Sequence, residues 1–339
     1  MVGARPPRTH GAIARTASTS ETEDDVPSND SLLDPHIAAR ADVVAAYESI
    51  TSQLASESTD PPDFVSLLRQ VMNNYDDADI DAALRYVAVE AVDADGVSAQ
   101  YFVPRGADLD RRIVYLHGGG WLAGSLASYR ALAAILATAA RTPVLLVDYA
   151  LAPENRYPAG LNDADRALGW AWEHGPGGNG KAGSVMLAGD SAGGNLAAAL
   201  TIRLIQQQRR LPSTLGLVSA AVDVGPGFTA VYDPIGGGDA MAGLLQFYTD
   251  VPDPLSDPCI NPSAAGDAVI AQFPPTLVQA SSDETLLKPA VDLAGRLIGS
   301  RVRTQLSVWP LMPHIWQNFL GSLPEAKLAL DELGRFSRQ

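Results

Sequence analysis

The sequence of this 339-residue chain predicts an α/β fold with a mostly parallel central sheet covered by helices on both faces. Three observations carry that prediction. From about residue 113 onward, short apolar runs alternate with longer runs of helical periodicity. Two of the short runs end in glycine-rich turns, His117-Gly118-Gly119-Gly120 and Gly189-Asp190-Ser191-Ala192-Gly193-Gly194. The length suits one α/β domain of about 250 residues or more plus additional segments.

The elements follow in order. Residues 1–32 are rich in Ser, Thr, Arg, Pro and acidic residues and read as a disordered tail. Residues 33–84 have a helical pattern: Ile37, Ala38, Val43, Val44, Tyr47 and Ile50 recur at helical spacing, Pro61-Pro62 breaks the segment, and 64–72 resumes it. The period then changes. Residues 86–89 and 99–103 read as strands joined by a turn at 93–96. Further strands are expected at 113–116, 144–147, 185–188, 215–219, 276–279 and 304–308, giving about eight. Helices are expected at 126–140, 159–173, 192–208, 286–298 and 324–336. Such alternation requires parallel strands with helical crossovers. One interval, 223–271, breaks the rhythm with many Gly, Pro and Asp residues and a short helical patch at 241–248; an insertion of this kind reads as a lid or binding loop.

Composition excludes several functions. A formal charge of −15 argues against nucleic acid and anionic membranes as partners. The single cysteine, Cys259, forms no intrachain disulfide and no cysteine-rich zinc site, and the five histidines show no metal-ligand spacing, so no metal or other cofactor is expected. The longest stretch of low polarity, 131–140, is too short to cross a bilayer. No signal-peptide apolar region precedes it, and a soluble cytoplasmic protein is expected.

The glycine motifs carry the chemistry. G-x-S-x-G alone should occur by chance in about one such sequence in five, and His-Gly-Gly-Gly in about one in 300. Their joint presence, each after an expected strand, points to acyl transfer. Ser191 would sit on a sharp strand-to-helix turn, with Gly189 and Gly193 removing side chains that would collide there. The N–H groups of Gly118, Gly119 and Ala192 are the expected oxyanion donors. Asp190 reads as a structural hydrogen-bonder, and His117 as a residue that fixes the oxyanion loop.

A serine hydroxyl needs a base, and the base needs an orienting acid. With an elbow of this kind the chain order is serine, acid, histidine. Only His314 follows Ser191, so order selects it as the base. The acid should end an intervening strand. Ser281-Ser282-Asp283-Glu284 follows the strand at 276–279; Asp283 is the first choice and Glu284 the alternative, and spacing does not separate them.

These motifs, with Asp148-Tyr149-Ala150-Leu151-Ala152-Pro153-Glu154, resemble the hormone-sensitive lipase-like branch of the α/β-hydrolases, a family of carboxylesterases and lipases. The resemblance runs from about residue 85 to the C-terminus. Ser281 to Leu287 and Trp309 to His314 are similar to its monoterpene ε-lactone hydrolase subgroup. It implies an α/β-hydrolase fold over 85–339, a helical cap formed partly by 33–84, Asp283 rather than Glu284 as the acid, and a homodimer through the last strand. Lys288 departs from the family, where an acid is common.

The expected substrates are small carboxylic esters or lactones of short to medium chain length, hydrolysed through an acyl-enzyme without a cofactor. Trp121, Trp316 and Tyr248 are candidate pocket residues, with ordinary core packing as the alternative for each. An amidase or deacetylase would use the same triad, and a binding protein without catalysis would be expected to lack one of its members.

Overall fold

The computed structural model describes residues 1, 3, 61–73, 80–178, 180–226 and 237–339. Apart from residues 1 and 3, the expected tail lies outside the described residues. So do 33–60 and 74–79 of the expected cap segment, and 227–236 of the insertion.

Two helices, α1 (Pro61–Asn73) and α2 (Ile80–Leu84), lead into an antiparallel hairpin of β1 (Val87–Asp93) and β2 (Ser98–Pro104). Its turn is closed by the Ala94 N–H donating to the Val97 carbonyl at 2.8 Å. The α/β succession then runs β3 (Arg111–Leu116), α3 (Arg130–Ala140), β4 (Val144–Val147), α4 (Ala159–Glu173), β5 (Ser184–Asp190), α5 (Ser191–Gln206) and β6 (Thr214–Val218). After the insertion, which contributes α6 (Gly237–Tyr248) and α7 (Asp267–Ile270), it resumes with β7 (Thr276–Ser281), α8 (Leu287–Gly299), β8 (Thr304–Trp309) and α9 (Pro324–Phe336).

The eight strands form one sheet in the order β1-β2-β4-β3-β5-β6-β7-β8. Pairings from β4 to β8 are parallel, while β1–β2 and β2–β4 are antiparallel. The side-chain period of two divides the core. Val114, Leu116, Leu145, Val147, Leu187 and Leu217 lie in one cluster with α4, α5 and α8. Their neighbours Ile113, Tyr115, Leu146, Met186 and Val218 lie in the other, with α3 and α9. Strands β4, β6 and β7 are therefore buried throughout, whereas the edge strand β8 leaves Leu306 and Val308 exposed.

The expected helix at 126–140 begins late, at Arg130. Residues 126–129 form a turn in which the Ser125 and Ser128 hydroxyls accept each other's backbone N–H, at 3.2 and 3.0 Å. Serine side chains compete in this way with helical hydrogen bonds.

Helices α3 and α9 meet where Gly334 has no side chain: a Cβ there would lie 2.8 Å from the Ala140 nitrogen and 3.0 Å from the Ala139 carbonyl carbon. Both obstacles are backbone. Gly334→Val should therefore lower unfolding free energy by about 1–3 kcal/mol in urea denaturation, the usual cost of overpacking.

Candidate active site

Ser191 is the first residue of α5 and directly follows β5. Its φ is +50°, a region costly for any residue with a side chain, by about 1–3 kcal/mol. The surroundings enforce it. A Cβ on Gly189 would lie 2.5 Å from the Gly193 carbonyl and 2.6 Å from the Leu116 oxygen, and one on Gly193 would overlap the carbonyl oxygens of Leu116 and His117. The two glycines thus let the elbow pack against the end of β3.

His314 lies in the loop after β8 and is buried. Its Nε2 is 3.0 Å from Ser191 Oγ, and its Nδ1 is 2.7 Å from Glu284 Oε2. A carboxylate only accepts, so the proton sits on Nδ1 and Nε2 is left to accept from the serine hydroxyl. The other Glu284 oxygen, Oε1, accepts the Ser281 N–H at 2.8 Å.

The acid position corrects the expectation. Glu284, the alternative acid, is the carboxylate bonded to His314 Nδ1. Directly after β7 the chain turns, and the Asp283 N–H donates to Ser281 Oγ at 3.1 Å. Glu284 stands three residues beyond Ser281, and its longer side chain spans from the Ser281 amide to the imidazole. The same serines stitch the acid loop to the histidine loop. Ser281 Oγ donates to the Met312 carbonyl, and Ser282 Oγ accepts the Leu311 N–H at 2.9 Å.

The oxyanion loop brings a second correction. The Gly118 N–H donates to Asp190 Oδ1 at 3.2 Å and to the Tyr129 hydroxyl oxygen at 3.1 Å. It is engaged in the interior instead of being presented to a substrate. The next two peptides are arranged differently. The Gly118 carbonyl accepts from His117 Nδ1 at 2.8 Å, and the Gly119 carbonyl accepts the N–H groups of Leu122 and Ala123 at 3.1 and 2.9 Å. In a planar trans peptide the carbonyl and the following N–H point opposite ways. Anchoring these carbonyls therefore aims the Gly119 and Gly120 N–H groups. Ala192 follows the same rule, since the Ser191 carbonyl accepts the Ala221 N–H at 3.0 Å. Gly120, the last glycine of the run, has φ +62°.

Asp190 is buried and accepts from the Tyr115 hydroxyl at 3.0 Å and the Tyr129 hydroxyl at 2.8 Å. Burial pushes its carboxyl up to about 6, opposed by these hydrogen bonds and by the charge of His314 when protonated. Neither tyrosine carried a local sequence signal for this role. His117 is driven the other way by burial, to about 4, despite its bond to the Gly118 carbonyl. It is a neutral donor wedged between Tyr149, stacked at 4.3 Å, and Tyr129.

Of the candidate pocket residues, Trp121 and Tyr248 are brought together, with ring centroids 4.5 Å apart and planes at 17°. Leu244, one turn earlier on α6, faces Gly120: a Cβ there would lie 3.1 Å from a Leu244 methyl. Trp316 is placed elsewhere. The apolar run after His314 folds onto α9, and the indole is fully buried with Met312, Ile315, Phe319 and Ala326. It packs the floor of the histidine loop.

A serine on a strand-to-helix elbow at the centre of a mostly parallel sheet, facing a histidine held after the last strand, is the arrangement of an α/β-hydrolase. Comparison with known proteins agrees. Residues 113–318 match the family model described as the alpha/beta hydrolase fold. Carboxylesterase NlhH of Mycobacterium tuberculosis is 33% identical over 225 residues, 63% of this chain and 69% of the relative. An esterase of Acinetobacter venetianus is 32% identical over 263 residues, 75% of this chain and 81% of the relative. The crystal structure of an esterase from the bacterial hormone-sensitive lipase family superposes with a TM-score of 0.73 at 29% identity, covering 87% of this chain and 96% of that one. The Pyrobaculum calidifontis esterase gives 0.71 at 25%, covering 80% and 92%. The chain belongs to the α/β-hydrolases, in their hormone-sensitive lipase-like branch.

The burial of His117 has a measurable consequence. Its folded pKa lies below the value of the unfolded chain, so the unfolded state binds more protons between about pH 4 and 6.5. The stability His117 contributes is complete above pH 6.5 and is lost as pH falls towards 4. The destabilisation of His117→Asn relative to wild type should shrink by about 3 kcal/mol across that window, as read from denaturation at a series of pH values.

Proposed function

We propose that Ser191, His314 and Glu284 form the catalytic triad of this enzyme and that it hydrolyses uncharged short- to medium-chain carboxylic esters or lactones. The chain is a carboxylesterase, in keeping with its carboxylesterase and esterase relatives. The continuous hydrogen-bonded path from Ser191 Oγ through the imidazole to Glu284 carries the mechanistic reading.

In the first step Ser191 Oγ attacks the carbonyl carbon as His314 Nε2 takes its proton. Glu284 holds the tautomer and stabilises the imidazolium that forms. The N–H groups of Gly119, Gly120 and Ala192 receive the oxyanion, each such donor being worth about 3–4 kcal/mol of barrier. His314 then protonates the departing alcohol, or the ring oxygen of a lactone, and water repeats the sequence on the acyl-enzyme. The stacked pair Trp121–Tyr248 and Leu244 roof the oxyanion loop. An apolar wall beside the reacting carbonyl, on a chain of charge −15, favours neutral substrates over anionic ones.

Turnover of p-nitrophenyl esters from C2 to C16 should peak at short acyl chains and disappear in Ser191→Ala. Activity retained by that variant would overturn the reading. Glu284→Gln should lower kcat by about 10³–10⁴, as loss of the orienting acid does in such triads, while Asp283→Asn should stay within about tenfold of wild type. The reverse order would return the acid to Asp283.

Two copies of the chain are proposed to pair through β8. The exposed Leu306 and Val308 on an edge strand support this, because uncovered apolar edges are otherwise an aggregation hazard. Light scattering should give a dimer mass for the wild type and a monomer for Leu306→Lys/Val308→Lys; a monomeric wild type would exclude the pairing.

A further inference from the structure

Arg69 is a half-buried residue of α1, outside the region that carries the catalytic motifs, yet all three of its guanidinium nitrogens are engaged. Nη1 and Nη2 donate to the two carboxylate oxygens of Glu154, at 2.8 and 2.6 Å. Nε donates to the Leu122 carbonyl at 2.8 Å, and Nη2 also donates to the Ala152 carbonyl at 3.1 Å. Glu154 thus fixes the fork by a bidentate pair, and the fork grips two backbone carbonyls.

Both carbonyls lead to the same place. The Leu122 carbonyl shares a planar peptide with the Ala123 N–H, which donates to the Gly119 oxygen at 2.9 Å. The Ala152 N–H donates to the Trp121 oxygen at 2.9 Å, and that oxygen shares a peptide with the Leu122 N–H, which also donates to the Gly119 oxygen, at 3.1 Å. One rigid peptide, Leu122–Ala123, therefore links the guanidinium to the Gly119 carbonyl, and the Ala152 contact braces the same turn across the Ala152 Cα. The opposite end of that peptide is the Gly120 N–H.

We propose that Arg69 is a positioning residue for the oxyanion hole: helix α1, through this one side chain, sets the orientation of the Gly119–Gly120 peptide. The inference rests on the reading that the Gly120 N–H receives the oxyanion. Arg69 touches no reacting atom, and its effect belongs to the transition state, where negative charge develops. Displacing a preorganised donor by a fraction of an ångström weakens it when the carbonyl becomes tetrahedral, with little effect on the bound ester.

The test compares Arg69→Ala, Arg69→Lys and Glu154→Gln with wild type in the full-length chain, with Ser191→Ala alongside. Active sites are first counted by titration with a fluorophosphonate to completion, so that unfolded protein is not scored as slow enzyme. On p-nitrophenyl acetate, Arg69→Ala should lose ~10–100-fold in kcat per titrated site with KM within about twofold. Affinity for a trifluoromethyl ketone, which forms an oxyanion adduct with the serine, should fall by a similar factor. Arg69→Lys, which keeps the charge but not the fork, should fall between. Glu154→Gln, which leaves both carbonyl contacts available, should lose less than about fivefold. If Arg69→Ala does not fold, the lysine variant carries the same comparison. An unchanged kcat per site, a loss confined to KM, or ketone affinity unmoved while kcat falls would overturn the assignment. Activity retained in Ser191→Ala would instead strike at the serine mechanism itself, so the two failures are distinguishable.

Discussion

The planarity of the peptide bond is the constraint on which the site depends. A backbone N–H can be aimed only by holding the carbonyl at the other end of its peptide, because the two are locked together across a barrier of about 18–20 kcal/mol. Each N–H assigned to the oxyanion is controlled in this way. Behind Gly119 stands the His117 imidazole, behind Gly120 the paired N–H groups of Leu122 and Ala123, and behind Ala192 the N–H of Ala221. Ala221 is held in turn, since its carbonyl accepts from the buried Asn195 side chain at 2.8 Å. The proposed donors would need no reorganisation as charge develops, which is where such a site gains most of its effect.

This scaffold requires buried polar groups, and their opposed titration behaviour keeps them consistent at neutral pH. Desolvation raises Asp190 and lowers His117. Asp190 nevertheless remains an acceptor, because two tyrosine hydroxyls and the Gly118 N–H converge on it. Those tyrosines are held far above their usual range by burial and by the adjacent carboxylate, so they stay donors. His117 stays neutral with its proton on the side of the Gly118 carbonyl. The network thus supplies oriented dipoles around the nucleophile, with its one carboxylate shielded by hydrogen bonds.

The order of the elements, the parallel sheet and the meeting of Ser191 with His314 were legible because they rest on periodicity, on two glycine turns and on chain order. The choice between Asp283 and Glu284 was not, since it depends on which residue of a four-residue turn faces inward. That is decided by Ser281, whose amide holds one Glu284 oxygen and whose hydroxyl holds the Asp283 amide. The Gly118 N–H is a comparable case: sequence identifies the glycine run but not that Asp190 engages this N–H. Trp316 lies only two residues from the base, but its orientation is set by α9, which a local reading does not see. Tyr129 and Arg69 carry no local signature at all, because each acts on a loop distant in sequence.

The parallel sheet explains why so few local features suffice. In parallel strands all C-terminal ends lie on one edge, so the loops after β3, β5, β7 and β8 open side by side. The glycine turn proposed to hold the oxyanion follows β3 and the proposed nucleophile follows β5, its direct neighbour, which is why Gly193 can press on the end of β3. The proposed acid and base follow β7 and β8, another adjacent pair, and the loops of that pair are joined through Ser281 and Ser282. Only β6 separates the two halves, and the Ser219 N–H at its end donates to the Gln279 carbonyl of β7 at 2.8 Å. The geometry that brings Ser191 to His314 is therefore set mainly by strand register and only slightly by long loops. The insertion between β6 and β7 can then carry α6 over the oxyanion loop without disturbing the strands that hold the reacting groups.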